Sequence, residues 1–182
     1  GLNSAAWGYA NTVEGYLGFA IGTTNTISAA AQSGMAVGDN NTITGYNGTA
    51  FGYLNNVSAN GGFAQGQSNI VSDTYGHASG WESVASAYGA FASGLRASAL
   101  GQGAFALGNQ VTAGISAGGT AGTGRYAFAM SLYTQATGDQ SFSGGFGFDV
   151  SNLVTASGET SFYFSKLTQA GIAGVSGTAS AI

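Results

Sequence analysis

Gly18-Phe19-Ala20-Ile21-Gly22 is one copy of a phrase that this chain repeats, and the next copies are Gly34-Met35-Ala36-Val37-Gly38, Gly48-Thr49-Ala50-Phe51-Gly52 and Gly62-Phe63-Ala64-Gln65-Gly66. The closing glycines recur every fourteen residues, apart from one insertion of two residues near Ala29 to Ser33. An alanine stands two residues before each of them. So short a period predicts one small coil of chain, stacked on copies of itself. The closing glycines are Gly8, Gly22, Gly38, Gly52, Gly66, Gly80, Gly94 and Gly108.

Fourteen residues are too few for a helix and a strand, but they hold two short strands and two tight corners. The predicted fold is therefore all-β, a parallel β-roll or β-solenoid. The closing glycine predicts positive φ at one corner. Three residues later the early coils carry asparagine, which suits the same corner and predicts a ladder of amides from coil to coil. These residues are Asn11, Asn25, Asn41, Asn55 and Asn69.

The alternation of large and small residues in the phrase predicts two faces. We expect the large residues, such as Phe19 and Ile21, to point into the coil together with Val13, Ile27 and Ile43 of the second strand. The small residues would then form a bare outer face, along which several identical chains pack. The predicted packing residues between chains are Ala20, Ala36, Ala50, Ala64, Ala78, Ala92 and Ala106.

The repeat divides the chain into two regions. About eight coils occupy residues 1–114, and residues 115–182 are predicted to be a divergent β-rich continuation or a terminal module. Phe128-Ala129-Met130 and Phe142-Ser143-Gly144 resemble the phrase at the same fourteen-residue separation. Because the first residue is Gly1, we expect a processed protein or a segment of a longer one.

The composition excludes several classes of protein. With no cysteine the chain has no disulfide, no thiol nucleophile and no Cys-based zinc site. Three Lys and Arg residues and a net charge of −4 argue against binding to nucleic acid or to anionic membranes. No apolar run is long enough for a membrane-spanning helix, so no membrane insertion is expected.

Catalytic residues are scarce, and we predict no enzymatic activity, no cofactor and no metal. His77 is the only histidine, and the seven carboxylates are scattered over different repeat positions. Gly101 to Ala106 fits a relaxed dinucleotide-binding phrase, but that site requires a following helix. Asp39-Asn40-Asn41 is interpreted as a corner with local hydrogen bonds rather than a calcium site.

The phrase Gly-x-Ala-x-Gly-x-x-Asn/Ser-x-Val over residues 3–114 resembles the head repeats of YadA-like trimeric autotransporter adhesins, and similar repeats of trimeric phage tail fibres. The resemblance implies a left-handed β-roll, a side-by-side homotrimer and binding to host surfaces. It implies an extracellular location, on a bacterial cell surface or a virion.

Exposed aromatic residues are the best candidates for ligand binding, since rings beside Asn and Thr suit the faces of sugars. We therefore predict a trimeric adhesive fibre segment that binds a host or cell-surface glycan or protein. A self-assembling filament subunit or spacer is the alternative, and an ice-binding array of Thr26, Ser28, Thr42, Thr44, Asn56 and Ser58 is a weaker one. The predicted ligand-binding residues are Tyr9, Tyr53 and Trp81, just after closing glycines, and Tyr16, Tyr46 and Tyr88, eight residues after them.

Overall fold

The computed structural model describes residues 1–114, 124–147 and 153–166, and their regular structure consists of two parallel sheets. Each coil contributes one long strand to the first sheet and one short strand to the second. The long strands are β1 (Ala5–Tyr9), β3 (Phe19–Thr23), β5 (Met35–Asp39), β7 (Thr49–Tyr53), β9 (Phe63–Gln67), β11 (His77–Trp81), β13 (Phe91–Leu95), β15 (Phe105–Asn109), β17 (Phe128–Leu132), β19 (Phe142–Phe146) and β21 (Phe162–Lys166). The short strands are β2 (Thr12–Val13), β4 (Thr26–Ile27), β6 (Thr42–Ile43), β8 (Asn56–Val57), β10 (Ile70–Val71), β12 (Val84–Ala85), β14 (Ser98–Ala99), β16 (Thr112–Ala113), β18 (Thr134–Ala136) and β20 (Val154–Ala156).

Every coil pairs with the next in the register that the repeat predicts. Ala50 lies opposite Ala64, and Gly52 lies opposite Gly66. The two-residue insertion is absorbed in a corner, because Phe19 still pairs with Met35. The predicted β-solenoid with fourteen-residue coils is confirmed.

The stack continues beyond residue 114 on the same two sheets. Phe105 pairs with Phe128, and Phe142 pairs with Phe162, although the intervening segments differ in length. The described parts of the divergent region are thus further coils of the solenoid. Residues 115–123, 148–152 and 167–182 of that region lie outside the described residues.

The predicted orientation of the long strands is wrong. All seven alanines predicted at the surface are 0% exposed and form the core, whereas Phe19 is half-buried and Ile21 is 38% exposed on the outside. The physical reason is the thinness of the coil, which leaves little depth between its sheets. Ile27, Ile43, Val57 and Val71 of the short strands do point inward, as predicted, and fill that depth opposite the alanines.

Core volume is balanced within each coil. A Cβ on Gly48 would lie 2.7 Å from Cγ2 of Ile43 and 3.1 Å from Cγ1 of Val57, so the glycine makes room for these branched side chains. In later coils the short strand carries Ala85 instead, and Ala90 replaces the glycine. Small and large residues therefore exchange so that the interior stays filled.

Neighbouring substitutions in β9 test the orientation of the long strands. Ala64→Val should lower the free energy of unfolding by about 1–3 kcal/mol, because the added methyl groups overpack a closed interior. Gln65→Val points outward and should change it by less than about 0.5 kcal/mol. Urea unfolding monitored by circular dichroism measures both. Equal effects would contradict the inward assignment of the alanines.

The corners use left-handed backbone at three kinds of position, which are the closing glycine, the residue before each ladder asparagine and the residue two before the next long strand, such as Leu17 with φ 57°. The closing glycine Gly38 has φ 122°, and a Cβ there would overlap the carbonyl of Gly52, which confirms the predicted positive φ. The residue before each ladder asparagine is also left-handed, as at Asn40 with φ 55°. The asparagine itself has ordinary φ and acts through its side chain.

Buried asparagines form the predicted ladder. Asn55 Nδ2 donates to Oδ1 of Asn41 at 2.9 Å and to the Gly66 carbonyl at 2.9 Å. Its own Oδ1 accepts from the backbone N–H and Nδ2 of Asn69, at 3.1 and 2.9 Å. The ladder thus satisfies backbone groups that the corner would otherwise bury without partners. Farther along, Ser83 Oγ donates to the Gly94 carbonyl at the equivalent position.

Candidate functional site

The outer surface of the first sheet carries a continuous row of exposed and half-buried aromatic residues. We call it the long-strand face, and it consists of the first, third and fifth side chains of each long strand. At eleven strands about 4.8 Å apart it is about 48 Å long, and five residues of about 3.3 Å make it about 16 Å wide. Patches of this size on soluble proteins commonly mark interaction sites.

One row of the long-strand face is a stack of rings. Phe91 and Phe105 lie 5.1 Å apart between ring centroids, with an interplanar angle of 13°. Phe142 and Phe162 lie 4.7 Å apart at 10°. Stacking follows from the parallel register, which places the same residue type directly above itself in successive coils. Phe105 is nevertheless 40% exposed and Phe162 is 62% exposed, so much apolar area remains uncovered.

His77 occupies a phenylalanine position in this row. Its ring stacks on Phe63 at 4.7 Å and on Phe91 at 4.5 Å. Partial burial lowers the pKa of the His77 imidazole, because desolvation disfavours the charged form. The residue is a packing member of the row, and it brings one titratable group into an apolar surface.

His77→Phe should remove a pH dependence from stability. The pKa of His77 is lower in the folded chain than its unfolded value of 6.5, so the neutral form is fully favourable above pH 6.5. As the pH falls below that value and through the lower folded pKa, the unfolded chain takes up the proton first and stability is lost. Melting temperatures at pH 7.5 and pH 5 should therefore differ less for His77→Phe than for the natural chain. An unchanged difference would contradict this role.

The six predicted ligand-binding aromatics do not form one site. Tyr9, Tyr53 and Trp81 end their long strands and belong to the long-strand face. Tyr16, Tyr46 and Tyr88 lie in the corner that precedes the next long strand, and each is about half exposed. The two groups are separated by the short strand of the coil, so a single small ligand cannot contact both.

Two further tyrosines, which the sequence analysis does not single out, lie at the same kind of corner as Tyr88 in neighbouring coils. Tyr75 is 63% exposed and Tyr126 is 59% exposed. Tyr75 contacts Tyr88 edge to face, with centroids 5.8 Å apart. The spacing offered a signal for Tyr75, which stands nine residues after Gly66. No comparable signal existed for Tyr126, because the repeat loses its register after residue 114.

Two exposed ion pairs bridge successive coils. Arg96 Nε lies 2.7 Å from Oε2 of Glu82, and Arg125 donates to both carboxylate oxygens of Asp139, from its backbone and from its guanidinium. The backbone N–H and then the side chain of Arg125 hold the pKa of Asp139 below its usual value. Pairing within the solenoid leaves these two arginines poorly placed to bind an anionic partner.

The described residues give little support to a metal site or a dinucleotide-binding site. No three His, Cys, Asp or Glu side chains are grouped there in a way that could hold a metal ion. The phrase from Gly101 to Ala106 runs into strand β15 rather than a helix, which removes the context of a dinucleotide site. Asn40 Nδ2 donates to Oδ1 of Asp39 at 2.9 Å, so this corner has the predicted local hydrogen bond.

The row predicted for ice binding is aligned only in part. Thr26, Thr42 and Asn56 lie in register on successive short strands. The next strands carry Ile70 and Val84 at the same position, which interrupts the polar array. Ice binding therefore stays a weaker prediction, and thermal hysteresis of the purified chain would test it.

Comparison with protein-family models and curated proteins finds no relative of the chain. No protein-family model matches the chain, and a search of curated proteins finds no match. Within the described ranges, no helix is long and apolar enough to cross a membrane. The surfaces of the solenoid are therefore the features that bear on its function.

Proposed function

We propose that the chain is a non-enzymatic segment of an extracellular fibre, in which three copies pack side by side through the long-strand face. The observation that carries this proposal is the uncovered stack of rings along that face. Its area, about 16 Å by about 48 Å, gives each copy a total close to the roughly 800 Å² that one partner buries in a standard interface, divided in a trimer between two neighbours. The alanines predicted to mediate packing lie inside the coil, so this face takes their place.

The width of the face favours three copies. Three strips about 16 Å wide, arranged as the sides of a triangular prism, each lie about 5 Å from the central axis. Stacked sheets are separated by about 10 Å, which puts each sheet about 5 Å from the midplane of the side-chain layer. One layer of side chains would thus fill a trimer, while four strips would leave a hollow centre. The resemblance of the repeat to trimeric adhesin heads and tail fibres agrees with this number.

The proposed role is attachment to a cell surface by multivalent display. Three stiff solenoids in one particle would present each corner three times, and linked weak contacts can exceed the single affinity by about 10²–10⁴. The fibre would lie on a bacterial surface or a virion, with a host or cell-surface glycan or protein as its partner. A spacer without a ligand of its own is the competing role.

Cell retention distinguishes attachment from a spacer role. Fluorescently labelled chain is incubated with panels of bacterial and animal cells, and bound label is measured after washing. We expect retention on at least one cell type, with a loss of at least about tenfold for Phe105→Glu, a variant designed to separate the copies. Absence of retention on every cell type would contradict the attachment role.

A further inference from the structure

We propose that the corner around Gly89 is a binding site for neutral glycans, an inference that rests on the proposed attachment function. The site, called here the Gly89 notch, consists of Gly89, the rings of Tyr75, Tyr88 and Tyr126, and the polar side chains of Thr74 and Gln102. None of Tyr75, Tyr126, Thr74 or Gln102 was among the candidates from the sequence.

The notch arises from one column of corner residues. Backbone hydrogen bonds of 2.8–2.9 Å link each coil to the next here, from Tyr75 to Asn60, from Gly89 to Thr74, from Gly103 to Tyr88 and from Tyr126 to Gln102. The order along the column is therefore Gly61, Tyr75, Gly89, Gly103 and Tyr126. Tyrosine and glycine occupy equivalent places, so rings stand beside gaps.

Two of the three glycines in this column are covered by rings, and one is open. A Cβ on Gly61 would lie 2.8 Å from the Tyr75 ring, and one on Gly103 would lie 2.7 Å from the Tyr126 ring. Among the residues that the structure describes, a Cβ on Gly89 would meet nothing within 4 Å. Each tyrosine thus leans over the coil before it, which leaves Gly89 as an uncovered floor between the two rings.

The dimensions suit sugar units. Tyr75 and Tyr126 are three coils apart, or about 14 Å at about 4.8 Å per coil. The Tyr88 ring stands edge-on to Tyr75 and extends that wall. A pyranose presents C–H groups that pack on aromatic rings and hydroxyl groups that bond to amides and hydroxyls. Thr74 and Gln102, whose carbonyls accept the N–H groups of Gly89 and Tyr126, bring side chains with such polar groups to the same corner.

Charge selects neutral rather than acidic sugars. Arg125 is bound to Asp139 at 2.9 Å, and Glu159 also acts on it electrostatically. Asp73, which accepts the Thr74 N–H at 2.7 Å, places a carboxylate at the other end. The Asp73 carboxylate therefore repels an acidic ligand, such as a sialylated glycan, at one end of the notch, and the pairing of Arg125 with Asp139 leaves little net attraction at the other end.

The test uses an array of neutral hexose and N-acetylhexosamine oligosaccharides, each with its sialylated counterpart. The natural chain should bind neutral members and discriminate against the sialylated ones. Tyr75→Gly, Tyr126→Gly and Gly89→Asn should each weaken binding by about fivefold or more, through a lost ring or a blocked floor. Both Tyr→Gly changes introduce the residue that the same column already carries, and asparagine tolerates left-handed backbone, so all three variants should fold. Leu17→Gly, at the equivalent left-handed position four coils before Tyr75, is the control and should bind normally.

Glycan binding that is unchanged in the three notch variants would overturn the proposal, as would a natural chain that binds no neutral glycan. The same preparations are assayed for cell retention. Retention without neutral-glycan binding would refute the notch and leave the attachment function standing. Loss of both would refute both.

Discussion

Phe105→Glu is expected to convert the assembled protein into single folded chains at micromolar concentration. Phe105 lies near the middle of the row of stacked rings, between Phe91 at 5.1 Å and Phe128 at 5.9 Å. In a trimer the change would bury one unpaired carboxylate per copy in an apolar interface, at an effective cost of several kcal/mol each. Each 1.4 kcal/mol weakens association tenfold, so the summed effect should abolish assembly.

Ile70→Glu is the matched control. Ile70 is 43% exposed and Phe105 is 40% exposed, both become glutamate, and Ile70 lies on the outer side of the opposite sheet. We expect Ile70→Glu to remain assembled and both variants to keep the circular dichroism of parallel β-structure. Equal assembly of the two variants would show that the long-strand face is not the interface.

Asn55→Ala is expected to lower the free energy of unfolding by about 3–5 kcal/mol. It removes an amide that donates to the Phe51 and Gly66 carbonyls and accepts from two N–H groups of Asn69. Each buried polar group left without a partner costs about 1–3 kcal/mol. Asn55→Ser should recover part of the loss, because Ser83 makes a carbonyl hydrogen bond at the equivalent position.

The adjacent asparagine provides the control. Asn56 is exposed on strand β8, whereas Asn55 is 1% exposed. Asn56→Ala should change stability by less than about 0.5 kcal/mol. Urea unfolding at one fixed chain concentration measures all three variants, since assembly makes stability depend on concentration. Similar losses of unfolding free energy for Asn55→Ala and Asn56→Ala would mean that the asparagine ladder contributes little to stability.

Periodicity predicted the coil well because each element of the phrase has a local physical cause. Gly38 adopts the positive φ expected of a corner, and Asn55 makes the amide contacts expected of a ladder. Both follow from backbone chemistry within one or two coils. Parallel pairing in constant register then repeats the glycine corner and the asparagine contacts from coil to coil.

Residue size predicts the wrong orientation for the long strands, because in so thin a coil the large residues do not fit inside. A better signal was variation within the repeat itself. Alanine occupies its position in all eight coils, whereas the residue after it changes from Ile21 to Gln65 and Ser79. A position that accepts glutamine and isoleucine alike faces outward, and one that accepts only alanine is enclosed on all sides. The coil is only deep enough for about one branched side chain, and this depth decides which face of the long strand is buried. The sequence repeat does not show how deep the coil is.

The Gly89 notch could not be derived from the sequence for a related reason. Tyr75 and Gly89 share a repeat position that can be counted, but Tyr126 follows residues that break the count. Tyr75 has glycine on both sides in its column, yet its ring covers Gly61 and leaves Gly89 open among the described residues. The direction in which the ring leans emerges only when coils are stacked.

Sedimentation equilibrium of the purified chain tests the central claim most directly. The chain has a mass of 17.9 kDa, and three copies in a closed assembly should sediment as a single species of about three times that mass, independent of loading over the micromolar range. A monomer would contradict the claim that the long-strand face is covered by other copies. A series of ever larger species would contradict the closed trimer and favour the filament.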